Sequence, residues 1–532
     1  MDNKQAEVKV DSASDGEFAY DVGDSIQPVK GGTRHDAKDM TRMGKSQELR
    51  RNFRFVSIVG FVMILQSTWE SVLLAAQYGL INGGMAGVIW ITVGVIAGAL
   101  CMIASIAEMA SMAPTAGGQY HWVSEFAPPR WEKPLSYLVG WTSALGWVTG
   151  CPSAAQLTSM LVQGLVYLKN PDANFAQLWQ TTLLIMAFLI AAVAFNIFLA
   201  KQLPLAEGIF LIVHIFGFFA FLIVLWTMSE HTPASQVFGD FQNYGGWPST
   251  GLSCLVGITT PLWCFLGPDA GAHMSEELKD ASRVLPSAMM WASLCNAALG
   301  LIMLVTFCFC LGPNWQDNVL GLTEDTQTGV PIIQVLYQST NSIPGTIVMT
   351  TVLILLSMVG TITCIASSSR QVWAFARDKG FPFSSYIEYV RPGWDLPVNA
   401  LIVVLGVSLA ISALNFGSDV ALNAIISLSN AALLFSYIAA IGCVRLKRFR
   451  NEPLLPRRWS LGKWGSLIND VALCFLTISF VFSFFPITPA PALADMNWAI
   501  VMFAGVIVAA VANYWFRAHK TYMSPVMLVK AE

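Results

Sequence analysis

Two apolar stretches of this chain are broken midway by polar residues, and each break carries a carboxylate: Gln66-Ser67-Thr68-Trp69-Glu70 in the first stretch and Gly267-Pro268-Asp269 in the sixth. An unpaired acid near the centre of a bilayer costs at least about 2.5 kcal/mol, so an acid held there marks by default a place where something polar binds or moves. In the first stretch, an unwound turn would expose backbone donors and acceptors around Ser67 and Thr68, the way broken helices coordinate small zwitterions. Serine and threonine also back-bond to the preceding turn of membrane helices, and both readings stand for these two. Glu70 would meet a substrate amine, pair internally or line an outer vestibule, and Trp69 beside it supplies an aromatic face for a cation.

The sixth stretch reads Thr259-Thr260-Pro261-Leu262-Trp263-Cys264-Phe265-Leu266-Gly267-Pro268-Asp269-Ala270-Gly271. Each proline removes a backbone donor and clashes with the preceding turn, so a break with freed carbonyls is predicted, with Pro268 at the hinge. Asp269 either touches substrate or caps the half-helix that runs on towards Glu277. His214 is the only histidine deep inside a long apolar run. It would couple a proton to transport or serve as a hydrogen-bonded core residue. Ser357, Gly360, Thr361, Cys364, Ser367 and Ser368 form one small polar face that suits close packing or lines a path. Glu108 could form an inner-gate ion pair or lie exposed at the interface.

The elements that hold these residues follow from composition. Of 532 residues, 55% are hydrophobic and 12% charged, about half the charged share of a soluble protein. Spans of about 20 apolar residues recur along the chain after Phe55, about twelve in all, giving an all-α membrane protein with one integral domain. The pairing of breaks at positions one and six is what an inverted repeat of five helices plus five would produce. With the amino terminus in the cytosol, Arg51, Arg54, Arg130, Lys133, Arg377, Lys379, Arg445, Arg448 and Arg517 all fall on the inner side, as the positive-inside rule requires. Both ends are then cytosolic. Residues 1–52, polar and without the apolar core of a signal peptide, read as a disordered tail. Residues 53–517 read as the integral membrane domain and 518–532 as a short cytosolic tail.

The outer connections 229–251 and 312–331 read as ordered loops over the membrane face. The basic loop 445–463 would lie against anionic lipid. The ten cysteines fall in or beside apolar segments, without ligand spacing, so neither metal nor cofactor is expected. No nucleophile-base arrangement stands out at a membrane face, which speaks against an enzyme. Nothing points to nucleic acid.

The run 108–122, Glu-Met-Ala-Ser-Met-Ala-Pro-Thr-Ala-Gly-Gly-Gln-Tyr-His-Trp, resembles the signature after the second helix of amino acid-polyamine-organocation permeases. Residues 265–277 and 370–382, with Thr68-Trp69-Glu70 and Asn82-Gly83-Gly84, look like the fungal amino acid, choline and GABA permease branch. The resemblance runs from about Asn52 to Trp515. It implies a LeuT-type fold, substrate held between broken helices one and six, alternating access, and proton-coupled uptake at the plasma membrane. Carried over, Ser67, Thr68 and Trp69 would contact the carboxylate or headgroup, and Phe265, Leu266 and Gly267 would offer carbonyls and a gating aromatic. Where many bacterial relatives have a Gly-Ser-Gly step, this chain has Ser67-Thr68-Trp69-Glu70, which favours a substrate with a prominent cation. His214 is the nearest stand-in for the basic residue that some relatives carry on the fifth helix.

The expectation is therefore a secondary transporter importing an amine-bearing solute, an amino acid, GABA or choline, with protons and membrane lipid as its other partners. Glu70 would bind or neutralise the cation, Trp69 and Phe265 would enclose it, and Gly267-Pro268 would be the hinge. A carrier specific for quaternary amines or for neutral amino acids is the next reading. A non-transporting nutrient sensor on the same fold is the alternative of another class.

Overall fold

Apolar runs that must satisfy every backbone group internally become helices, and the described residues are predominantly helical. The computed structural model describes residues 29–173, 175, 177–312, 315–316, 330–417, 419–493 and 496–526. Most of the expected loop 312–331, and the expected tail before residue 29, lie outside the described residues. The helices are α1 (Arg34–Arg42), α2 (Phe55–Gln66), α3 (Thr68–Ile81), α4 (Gly84–Met112), α5 (Gln119–Phe126), α6 (Glu132–Lys169) and α7 (Leu178–Phe198). They continue with α8 (Leu203–Met228), α9 (Ala234–Gly239), α10 (Thr250–Val256), α11 (Thr259–Phe265), α12 (Ala270–His273), α13 (Ala281–Phe309) and α14 (Pro331–Thr340). The last are α15 (Ile343–Arg377), α16 (Ser384–Ile387), α17 (Val398–Ala413), α18 (Asp419–Phe449), α19 (Gly465–Phe482), α20 (Ala499–Asn513) and α21 (His519–Thr521).

Both expected breaks are present. Helices α2 and α3 are separated by Ser67 alone, which sits at φ 36°, ψ 48° and turns the chain between two half-helices. Helices α11 and α12 are separated by residues 266–269, with Gly267 at φ 83°. That left-handed conformation suits glycine, and proline in the next position stops either half from continuing.

Among the described residues, eleven segments are long and apolar enough to cross a membrane. The expected third span, 135–168, is the exception, because α6 carries many Ser, Thr, Gly and Gln residues. Those small residues let α15 and α18 pack closely along α6. Parity supplies the twelfth crossing. Near one end of the chain, Lys45 pairs with the Asp378 carboxylate, and near the other the Met523 N–H donates to the Asp378 carbonyl at 3.1 Å. Both described ends thus meet on one face, here the amino-terminal face, which requires an even number of crossings. The chain is an integral, multi-pass membrane protein.

Helix α8 separates two faces. Leu205, Ile209, Ile212, Phe216 and Ile223 form an exposed apolar stripe, whereas Glu207, His214, Phe218, Phe221 and Leu225 are buried on the other side.

The expected disordered tail 1–52 is packed in its described part. Thr33 and Asp36 form a capping box on α1, and Met40, Met43 and Leu49 are buried. The Asp36 carboxylate accepts from the N–H groups of Asp280 and Ala281, both at 3.0 Å, capping α13, and pairs with Arg51 at 3.2 Å. Arg51 donates to the Ser275 carbonyl at 2.8 Å, and Phe53 pairs with the 277–279 backbone. Three buried apolar side chains and the Asp36 contacts with Arg51 and α13 hold a segment whose composition reads as polar. The expected tail after residue 517 also packs in part: the Tyr522 hydroxyl lies 2.7 Å from Ser136 Oγ, and Ser524 Oγ lies 2.7 Å from Ser124 Oγ.

Candidate functional site

The two breaks face each other across a cavity of about 110 Å³. Gln66, Ser67, Glu70 and Ser71 line it from the first break, and Trp263, Leu266 and Gly267 from the second. Helix α6 adds Gly146, Trp147 and Gly150, α15 adds Ser357, Gly360 and Cys364, and α18 adds Ser429 and Asn430. Leu74, Ala154 and Leu157 extend the wall from the breaks towards the face opposite the amino terminus. The small polar face of the eighth expected span therefore borders the cavity with three of its members.

Glu70 lies in the first turn of α3 and is buried. Its Oε1 is 2.7 Å from His214 Nδ1 on α8, while Glu70 Oε2 and His214 Nε2 have no hydrogen-bond partner among the described residues. Glu70 thus does two things the sequence left as alternatives: it pairs internally and it borders the cavity. His214 reaches the cavity through that carboxylate.

Other expected site residues stand behind the wall. Thr68 Oγ1 donates to the Cys264 carbonyl at 3.3 Å and ties the two broken spans together. Trp69 is fully buried against Phe218 and Phe221, with ring centroids 6.2 and 5.2 Å away, and Phe265 is likewise in the core. The aromatic residues that line the cavity are Trp147 and Trp263. Asp269 is enclosed: its carboxylate accepts from Gln119 Nε2 at 2.5 Å, Trp147 Nε1 at 2.9 Å and the Tyr437 hydroxyl at 2.5 Å, with His273 Nε2 at 3.2 Å. Its backbone occupies the position before α12 without a side-chain cap.

Glu207 is a buried acid that sequence reading passed over. Its Oε1 accepts from Thr363 Oγ1 at 2.7 Å, and its Oε2 has no partner among the described residues. Glu207 and His214 are seven residues apart on one helix face, a spacing that could have flagged the pair.

Towards the amino-terminal face, ion pairs close the space beneath the breaks. Arg377 grips Glu276 with Nη1 and Nη2 at 3.0 and 2.7 Å, Arg370 pairs with Glu277 at 2.7 Å, and Lys45 pairs with Asp378. Glu108 is buried and held by Arg448 at 2.6 Å and Arg457 at 3.0 Å, which makes it an ion pair near the carboxyl end of α4. Burial pushes the Glu276 carboxyl up, but the Arg377 guanidinium and the Ala116 N–H outweigh it and hold the acid below its usual range. Burial lowers the Lys45 ammonium despite Asp378. Among the described residues no cluster of His, Cys, Asp and Glu suits a metal ion.

The family model for amino acid permeases matches residues 55–507, which includes every residue of this cavity. The chain belongs to the amino acid permease family. This permease is 31% identical to a Macrophomina phaseolina protein named "Putative amino acid/polyamine transporter", over 83% of this chain and 96% of the other. It is 28% identical to a Schizosaccharomyces pombe protein named "Uncharacterized amino-acid permease", over 93% and 88% of the two chains. It is 27% identical to a Saccharomyces cerevisiae choline transporter, over 92% and 85%. The permease is a transporter of the amino acid-polyamine-organocation superfamily, not an enzyme.

Proposed function

We propose that this permease imports a small amine-bearing solute across the plasma membrane, driven by the proton gradient, by alternating access about its two breaks. The observation that carries the reading is a cavity between two broken helices with a buried carboxylate, Glu70, at its wall and an oxygen of that carboxylate without a partner among the described residues. A cavity of about 110 Å³ is below the range of about 300–1,000 Å³ that holds drug-sized ligands, which suits a small solute. The amine would sit against Glu70 Oε2, near the carbonyl ends of α2 and α11, and a carboxylate, where the solute has one, at the amino end of α3 beside Ser67. Leu266 and Gly267 border the same space. In this reading Thr68, Trp69, Phe265 and Asp269 position the binding residues from behind, and Gly267-Pro268 is the hinge between two halves of an inverted repeat.

Proton coupling in this reading starts at Glu70. A proton shared with His214 changes the charge offered to the amine, so proton and solute are linked through one carboxylate. A quaternary amine forms no N–H hydrogen bonds and would rely on the faces of Trp147 and Trp263; the likeness to a choline transporter favours testing choline early. Uptake of radiolabelled choline, GABA, a polyamine and a panel of amino acids in transporter-deficient yeast, with and without a protonophore, tests the proposal. Saturable, protonophore-sensitive uptake of one amine is expected. No uptake by protein confirmed at the cell surface would overturn import and turn attention to export or sensing.

A further inference from the structure

Beneath the cavity lies a second buried acid-histidine pair, Asp269 and His273, one helical turn apart. Three neutral groups donate to the Asp269 carboxyl: Gln119 Nε2, Trp147 Nε1 and the Tyr437 hydroxyl. The Gln119 amide is oriented independently, because Ser143 Oγ donates to its Oε1 at 3.4 Å. Three incoming donors match a carboxylate, which only accepts; a protonated carboxyl would itself need an acceptor. His273 has the converse surroundings. Its Nε2 lies 3.2 Å from Asp269 Oδ2, and its Nδ1 lies 2.8 Å from the Ala116 carbonyl oxygen. Both ring nitrogens face acceptors, and a neutral imidazole has a single N–H to offer.

We propose that His273 holds a bound proton in this state, and that the Asp269–His273 pair is a proton-binding site of the transport cycle, separate from Glu70 and His214. The assignment to transport rests on the proton-coupled reading above; the bound proton itself does not. Two of the groups that fix Asp269 reach the cavity. Trp147 lines it, and the Tyr437 hydroxyl also accepts from the N–H of Gly267, another lining residue, at 3.3 Å. On the other side, the turn that binds His273 through the Ala116 carbonyl also binds Glu276 through the Ala116 N–H at 3.2 Å. A proton on His273 therefore ties the second break to the ion-paired closure. Its departure leaves one N–H for two acceptors, and one of those ties is lost.

The other titratable groups around the pair are accounted for. Helix α5 presents Gln119 and Tyr120, the latter bound to Asp378 at 2.9 Å. Helix α6 presents Trp147, and α18 presents Tyr437. Arg370 and Arg377 of α15 are taken up by Glu277 and Glu276. Helix α2 has no titratable residue, and α13 meets α12 through Leu285 and Met289, with Arg283 exposed.

Nitrogen NMR of the purified full-length protein, labelled at its six histidines, tests the proton directly. Comparison with His273→Gln identifies the His273 signals. They are expected to be those of a doubly protonated imidazole at about pH 8. Signals of a neutral imidazole at that pH overturn the proposal. Should His273→Gln not fold, Asp269→Asn replaces it, and one histidine is expected to change from the doubly protonated to the neutral form; no such change overturns the proposal equally. The transport role is read in proteoliposomes with choline and GABA as probes and an imposed pH gradient. His273→Gln is expected to retain counterflow exchange while losing gradient-driven accumulation, about tenfold for each pH unit imposed. A variant that accumulates like the wild type overturns the transport role. A wild type that ignores the gradient while exchanging solute would instead sink proton coupling as a whole and leave the NMR result standing.

Discussion

Glu70 and the tryptophans around it show how far single residues can be read from order along the chain. The acid at the first break was legible because carboxylates are rare at that depth, and the structure adds that His214 occupies one of its oxygens. Glu70→Gln keeps the size of the side chain and removes the charge. Uptake of a cationic probe is expected to fall at least about tenfold, equivalent to about 1.4 kcal/mol, with surface expression unchanged; wild-type kinetics would remove Glu70 from the binding site. The aromatic partner was not legible. Ser67 in the left-handed region resets the direction of the residues that follow, so adjacency to Glu70 did not tell which way Trp69 points, and it points into the core. Trp263→Ala is therefore expected to raise the KM for a quaternary amine by about 5- to 30-fold, the equivalent of about 1–2 kcal/mol for a desolvated cation-π contact. Trp69→Ala should instead show as lost stability of about 3–5 kcal/mol in thermal unfolding of the purified protein. If Trp69→Ala folded normally and alone changed KM, the assignment of the cavity wall would be reversed.

At the scale of elements, proline and glycine made the breaks readable, whereas charge composition hid the packed amino-terminal segment. Gly267 at φ 83° is the sharpest case, since a side chain there strains the backbone and its Cβ would lie 3.1 Å from Leu65 Cδ2. Gly267→Ala is expected to cost about 1–2 kcal/mol and to slow solute exchange in counterflow, and unaltered exchange would show that the bend at Gly267 is not used in the cycle. Helix α1 carries a different lesson. A polar, charged segment reads as disordered because composition does not reveal that Asp36 will find the amino end of α13 some 240 residues later. Burial pushes the Asp36 carboxyl up, but Arg51 and the N–H groups of Ala281, Thr33 and Asp280 outweigh it and hold it below its usual range. An acid with a depressed folded value adds stability that is complete above its unfolded value, near 3.9, and fades as pH falls through the folded one. Asp36→Asn is accordingly expected to cost about 1–3 kcal/mol at neutral pH, with the difference from wild type shrinking below about pH 4. A penalty that stays constant across this range in thermal unfolding would mean that the charge of Asp36 contributes nothing.

For the whole molecule, the cavity and the ion pairs describe one conformation. Leu74, Ala154 and Leu157 extend the cavity towards the face opposite the amino terminus, while the pairs Arg377–Glu276, Arg370–Glu277 and Lys45–Asp378 stand on the other side of the breaks. Of this closure the sequence offered only an ion pair at Glu108; these three pairs were not legible, because their partners lie about 100 residues apart or more and each acid had several basic residues to choose from. In the proposed cycle these pairs part and re-form, and they favour the closed state only while both partners are intact, so removing one charge would move the balance between conformations. Glu276→Gln removes the acid that Arg377 grips at two points and that the Ala116 N–H also binds. Ser357→Cys, in a background with Cys364 replaced, places a thiol on the cavity wall. A membrane-impermeant thiol reagent is expected to label it from the face opposite the amino terminus and much more slowly from the amino-terminal face. Adding Glu276→Gln should raise labelling from the amino-terminal face by about tenfold or more, the equivalent of about 1.4 kcal/mol of lost preference. If the two rates were the same with and without Glu276, these ion pairs would be surface ornaments of a closure made elsewhere, and the packing of α2 and α12 against α15 would have to hold the solute in.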